Sequence, residues 1–368
     1  MKSDVSQRIG VLDALTAGLT QAIRRPWLLI IPVIVDLGLW LAPQLSISVL
    51  TQRFLVVWET LIQATYSPSQ LVVMEEMLRT VQEAVRAIGA QLNLIDVVTG
   101  TWLGVPSTIA ATQATRVTFV SGVVLAPAGL SLNLRQVAAS PWRTTSIEIT
   151  NVWGVLLIVA GLWLVGQLLV VLYLRLAAAS RPLTQSPAAP GEDPWQGKRG
   201  FVRLAIRLTV FSLFLGILIF MLRVPLGLAA TLLFLSGSPV AGLLFALVGG
   251  ITLWLLLWML TSLFFVSETI LLDHQPVWRG VLQSITLVRL NGLSTMGLVL
   301  AINLLMLGFR AVWGLIGSTS LGAIVAILGN AYLATGMLLA IFTYYENLRS
   351  RWQAVQEKQQ VEKQRVDK

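Results

Sequence analysis

From Val152 to Leu174 the chain carries no charged residue. The hydrocarbon core of a bilayer is about 30 Å thick, and about 20 helical residues cross it. Inside that core no water can satisfy a peptide group, so a crossing segment that is not part of a closed barrel has to be a helix. Segments of similar length and character lie at 27–49, 152–175, 203–222, 240–267, 293–312 and 321–345. The pattern predicts an all-α integral membrane protein with about six transmembrane helices. Of 368 residues 56% are hydrophobic and 12% charged, about half the charged share of a soluble domain, and the mean hydropathy is +0.78.

Composition removes several function classes. No cysteine is present, which excludes disulfides, thiolate zinc sites and cysteine nucleophiles. The single histidine, His274, leaves an imidazole metal site with too few ligands. A net charge of +9 invites a nucleic-acid reading, but the basic residues gather at the ends of apolar segments, as membrane orientation requires. Arg24 and Arg25 ahead of an apolar run resemble a signal peptide; Asp36 interrupts that run, so an uncleaved first helix is expected.

Most of the 26 lysines and arginines fall on one side if the N-terminus is cytoplasmic. The expected order is a cytoplasmic amphipathic helix at 1–26, a first span at 27–49, and an extracytoplasmic loop at 50–151. A second span at 152–175, a cytoplasmic linker at 176–202, a four-span bundle at 203–345 and a cytoplasmic tail at 346–368 follow. After Pro225 the apolar piece 226–236 is too short to cross and reads as a half-helix folded back. The membrane expected for this topology is the plasma membrane of a prokaryote.

The long loop has its own pattern. Ser67-Pro68 reads as a helix start. Leu71, Met74, Leu78, Val81, Val85, Ile88 and Leu92 then alternate spacings of three and four, an apolar seam of coiled-coil type. Phe54, Val57, Trp58, Leu61 and Ile62 offer a matching stripe, so the first helix is expected to run outward and pack back as a helical hairpin. Binding of the Leu71–Leu92 seam to another protein is the alternative. From 94 to 150 the chain is richer in Thr, Ser, Gly and Val and admits short strands.

On the inner side, Leu12, Leu15, Leu19, Ala22 and Ile23 form an amphipathic stripe, as do Phe201, Leu204, Ala205 and Leu208, and Trp278, Val281, Leu282, Ile285 and Val288. Each predicts an interfacial helix that turns into a span. Gly18-Leu-Thr-Gln-Ala-Ile23 and Gly280-Val-Leu-Gln-Ser-Ile285 even share lettering. The stretch 181–200 is rich in proline and glycine and reads as a linker.

Candidate chemistry is sparse. At 1.5 Å per residue Asp36 lies about 14 Å beyond Trp27, Asn303 about 15 Å into the fifth span and Asn330 about 14 Å into the sixth. Asp36, Asn303 and Asn330 thus share a level, as a proton or solute relay or as interhelical hydrogen-bonding glue. Asp36 is expected to be protonated or bonded to one of the two amides. Lys198, Arg199, Arg203 and Arg207 form a basic stripe suited to anionic lipid head groups or to plain orientation. Glu268, Asp273 and His274 have spacings that do not put three ligands on one helical face. Walker, G-x-S-x-G, S-x-x-K and H-E-x-x-H motifs are absent, so neither an enzyme nor a cofactor is expected.

Arg25-Pro26-Trp27 leading into a proline-bearing span, and Gly280-Val-Leu-Gln-Ser-Ile-Thr-Leu-Val-Arg-Leu-Asn291 before the fifth span, resemble a group of bacterial polytopic membrane proteins. The group includes the YciC-like proteins and the membrane domain fused to some glycerophosphodiester phosphodiesterases. The resemblance covers the membrane helices only. It implies a six-helix membrane protein with a role in envelope or lipid maintenance, and it carries no catalytic residues. The expected role is a non-enzymatic accessory or structural protein engaging lipids or a partner. The alternative is a transporter or permease subunit using the mid-membrane polar level.

Overall fold

The computed structural model of the chain describes residues 9–91, 93–98, 107, 146–180, 197–235 and 239–366. Its architecture is all-α apart from one short two-stranded ribbon. Four helices hold stretches long and apolar enough to cross a membrane: α5 (Val152–Ala179), α6 (Gly197–Leu235, through Met221), α10 (Gly292–Ile316) and α11 (Ser320–Val366). Two of the six expected spans are shorter apolar helices in the described residues, Pro26–Leu41 and Gly249–Met259, the latter within α7 (Pro239–Ser262).

The expected span at 27–49 stops early for a local reason. After α1 (Val11–Arg24) and the 3-10 turn Pro26–Leu29, α2 runs from Ile30 to Leu41. Ala42 is extended (φ −66°, ψ 147°) because Pro43 follows and crowds the helical conformation of the residue before it. The chain then forms β1 (Gln44–Ser46), which pairs in parallel with β2 (Ser146–Glu148) in the register Leu45↔Ile147. An unbroken helix from the membrane into the hairpin is therefore not what forms. Pro225 has the opposite outcome: α6 continues through it to Leu235, so 226–236 is no separate half-helix. A spanning helix absorbs the missing amide where its surroundings re-satisfy the freed carbonyl.

Beyond β1, α3 (Ser48–Thr65) and α4 (Pro68–Gln91) lie against each other across the turn Tyr66-Ser67. The Gln82 Nε2 donates to Glu59 Oε1 at 2.9 Å, and Gly89 approaches Thr51 so closely that a Cβ would overlap its side chain. Leu55, Trp58 and Ile62 turn inward, while Phe54, Val57 and Leu61 stay exposed. The packed face of α3 is thus narrower than the expected stripe. Most of 94–150, and 181–196 of the expected linker, lie outside the described residues.

The bundle is organised around α11. Helix α1 docks along it through Ala14, Leu15, Gly18 and Ala22, all buried. Ala14, Gly18 and Ala22 recur every four residues, and so do Gly336 and Ala340 on α11. A Cβ at Gly18 would overlap the Gly336 carbonyl and the Ala340 amide, while one at Gly336 would come within 3.2 Å of the Leu19 Cα. In lipid the hydrophobic effect does not distinguish a buried helix face from one bathed in acyl chains, so close backbone contact of this kind carries association. Polar bonds add to it. Tyr173 on α5 pairs with Thr335 on α11 at 2.9 Å, Gln167 on α5 donates to Ser212 on α6 at 2.8 Å, and Tyr344 on α11 donates to Ser294 on α10 at 2.7 Å. Helices α8 (Val266–Leu272) and α9 (Val277–Leu290) close one end of the bundle. There Gly280 lets α9 approach α8, since a Cβ would lie 2.7 Å from Thr269 Oγ1.

Gly18→Leu should release α1 from α11. The expected signs are faster tryptic cleavage at Arg24 and Arg25 and a loss of at least about 2 kcal/mol in thermal unfolding, the scale of a severe overpacking. Gly297→Leu, near only the Val11 side chain at 3.9 Å, should cost far less.

Candidate functional site

Asp36 is fully buried on α2. Its Oδ1 accepts a hydrogen bond from the Ser107 hydroxyl, which belongs to the stretch expected outside the membrane. A second part of that stretch comes inward as well. The 3-10 turn Leu94–Val98 packs on α5, and the Val98 carbonyl touches Gly166, about 21 Å along the helix from Val152 at 1.5 Å per residue. Non-helical backbone at such depth has to be covered by protein or line a cavity. Asn93 ties the turn to the ribbon, its Oδ1 accepting from the Leu45 amide at 2.9 Å.

Hydrogen bonds do not join the three residues expected to share one level. The Asn303 amide donates to the Val299 carbonyl of its own helix at 2.7 Å. Asn330 is 7% exposed, and its Nδ2 has no acceptor among the described residues. Neither amide bonds Asp36. Equal depth was readable from residue counts, but direction around the helix axis was not, and nothing in the sequence marked Ser107 as a partner.

A denser polar cluster lies at the end of the bundle closed by α8 and α9. The Asp273 side chain, 5% exposed, forms an ion pair with Arg349 on α11 at 2.8 Å. Its other oxygen accepts from Tyr345 at 2.8 Å and from Gln283 on α9 at 2.5 Å. Asp273 caps α8, and the chain then turns through His274 in the left-handed region, φ 57°. Arg207 on α6 secures this turn, its Nη1 donating to the carbonyls of His274 at 2.7 Å and Gln275 at 3.3 Å. Arg207 is therefore committed to the fold, whereas Lys198, Arg199 and Arg203 of the same basic stripe are exposed. Glu268 is 3% exposed behind the cluster and accepts from Ser267 at 2.8 Å. Burial pushes its carboxyl up to about 7, only partly opposed by the Ser267 and backbone hydrogen bonds. Ser284 stitches the corner, donating to the Ser262 carbonyl at 2.8 Å and accepting from the Phe265 amide at 3.2 Å. The ring of Phe265 stacks on Tyr344.

Chemically this cluster is a structural knot: Asp273 Oδ2 accepts from Tyr345 and Gln283, and Oδ1 faces the Arg349 guanidinium, each from another element. Among the described residues no group of three His, Asp or Glu side chains could hold a metal. No family model matches the chain, nor does any characterised protein or solved structure.

Removing one member of a buried pair costs about 3–5 kcal/mol, because the other charge is left uncompensated. Asp273→Ala should therefore lower thermal stability more than the double variant Asp273→Leu, Arg349→Met, a comparison read by unfolding in detergent. Glu268 gives a pH signature. Its folded value lies above the ordinary 4.5, so its contribution is retained below that pH and lost as pH rises to about 7. Melting temperature should fall across that window in the wild type, and Glu268→Gln should flatten the fall. His274→Gly should be neutral or stabilising by up to about 1 kcal/mol, since glycine adopts a positive φ without strain.

Proposed function

We propose that this chain is a non-enzymatic polytopic protein of a prokaryotic plasma membrane, with both termini cytoplasmic, acting as an accessory component that engages anionic lipids. One observation carries the reading: Asp36 and Asn303 are each engaged in a separate internal hydrogen bond, while Lys198, Arg199 and Arg203 stay exposed at the bundle end. A protein that moves a solute needs polar groups converging on a path. A protein that holds lipid needs cations at the interface, each contributing about 1 kcal/mol near an anionic surface. The α8–α9 end is the cytoplasmic one on this reading, and α3 with α4 forms the extracytoplasmic hairpin. The likeness to YciC-like proteins of envelope or lipid maintenance points the same way.

The alternative, a transporter or permease subunit, draws on one feature. The turn Leu94–Val98 and Ser107 enter the level of the spans, and non-helical backbone at that depth is common around transport sites.

Native mass spectrometry of the protein extracted in mild detergent separates the two. Retention of phosphatidylglycerol, reduced about tenfold or more when Lys198, Arg199 and Arg203 are all replaced by Gln, is the expected result. A co-purified small solute lost on Asp36→Ala, with lipid retention untouched by the triple change, would reverse the choice.

A further inference from the structure

The strongest unexplained group is Arg310. It lies six residues before the end of α10, about 9 Å below Ile316 along the helix. Val299, Ile302, Met306, Arg310 and Gly314 recur at helical spacing, so Arg310 belongs to the row of α10 that packs inward. Its Nε and Nη2 are buried, and among the described residues neither has a hydrogen-bond partner. These two nitrogens form one edge of the guanidinium, the edge whose parallel N–H groups grip a phosphate or carboxylate with two bonds. A second observation points to the same place. Helices α10 and α11 run antiparallel, with Gly322 against the Ile316 carbonyl and Gly329 against the Trp313 ring. That register sets Arg310, in height along the bundle, within about one turn of Asn330, whose Nδ2 is likewise buried and without an acceptor among the described residues.

Donors without acceptors, on facing helices and near one end of a span, have a clear chemical meaning. A charged group at membrane depth is costly, and a buried unpaired donor adds to that cost. An anion removes both costs. We propose that Arg310, with Asn330, forms a binding site for a phosphate-bearing anion at the α10–α11 end of the bundle. Two sources share this chemistry, the phosphodiester of an anionic phospholipid and free inorganic phosphate. On the proposed topology the site lies in the extracytoplasmic leaflet, far from Lys198, Arg199 and Arg203. It extends the lipid-engaging reading to the other face of the membrane, and its spatial separation lets either idea fail alone.

The test is thermal unfolding of the full chain in zwitterionic phosphatidylcholine nanodiscs, with phosphatidylglycerol incorporated or inorganic phosphate added. Arg310→Met keeps the length and removes the charge. Without anion it should melt higher than the wild type, because an uncompensated cation is gone. With the right anion the order should reverse, and wild-type affinity should exceed that of Arg310→Met by about tenfold or more. Arg310→Lys, a point charge without the fork, should fall between them, and Asn330→Leu should weaken binding less than Arg310→Met. A response to phosphatidylglycerol alone assigns the site to lipid, and a response to inorganic phosphate assigns it to a soluble anion. Equal anion responses in wild type and Arg310→Met overturn the proposal, as does an Arg310→Met variant that melts lower than the wild type without anion. Loss of phosphatidylglycerol retention in the Lys198, Arg199, Arg203 variant, with the Arg310 response intact, would leave the two sites independent.

Discussion

The bundle depends on one close crossing. Helix α1 reaches α11 this closely because Gly18 meets Gly336 and Ala340 with no side chain of its own in the way, while Ala14 and Ala22 are buried on the same face. From that contact the path of the chain follows. Arg24, Arg25 and the 3-10 turn swing α2 along α11, and α2 delivers Asp36 into a fully buried position. Because lipid tails solvate apolar side chains as well as a protein interior does, complementarity of this kind matters more here than the total apolar area.

The long apolar runs were legible, since length and absence of charge suffice to specify a spanning helix. Proline was not legible alone. Pro43 ends α2, while Pro225 is carried inside α6, and no local sequence pattern separates the two cases. Of the stripe expected on α1, Leu15 and Ala22 are buried and Leu19 lies against Gly336, but Ala14 and Gly18, outside that stripe, share the contact. Leu12 and Ile23 of the expected stripe remain exposed. That hydrogen bonds do not join the polar level has a geometric reason. Counting residues gives depth to within a few ångströms, but Asn303 satisfies itself on Val299 and never has to face Asp36.

The basic stripe shows the same limit from the other side. Its spacing correctly put four cations together along α6, but only tertiary contact distinguishes Arg207, bound to the His274 turn, from its exposed neighbours. The acidic residues Glu268 and Asp273, dismissed as a metal cluster, instead divide their roles. One is buried with its carboxyl pushed up to about 7, and the other pairs with Arg349. Their separation by five positions places them on different sides of a helix of only two turns.

The crossing of α1 on α11 also has a consequence in time. Gly18 is synthesised long before Gly336, and at about 5–20 residues per second the interval is about 15–65 s. Throughout it, the small-residue face of α1 has no partner, and the segment's amphipathic character gives it a resting place at the membrane surface. The first helix made is then the last to be seated. Its docking closes a loop of about 300 residues, so the N-terminal segment reaches its final position on α11 only when α11 is complete.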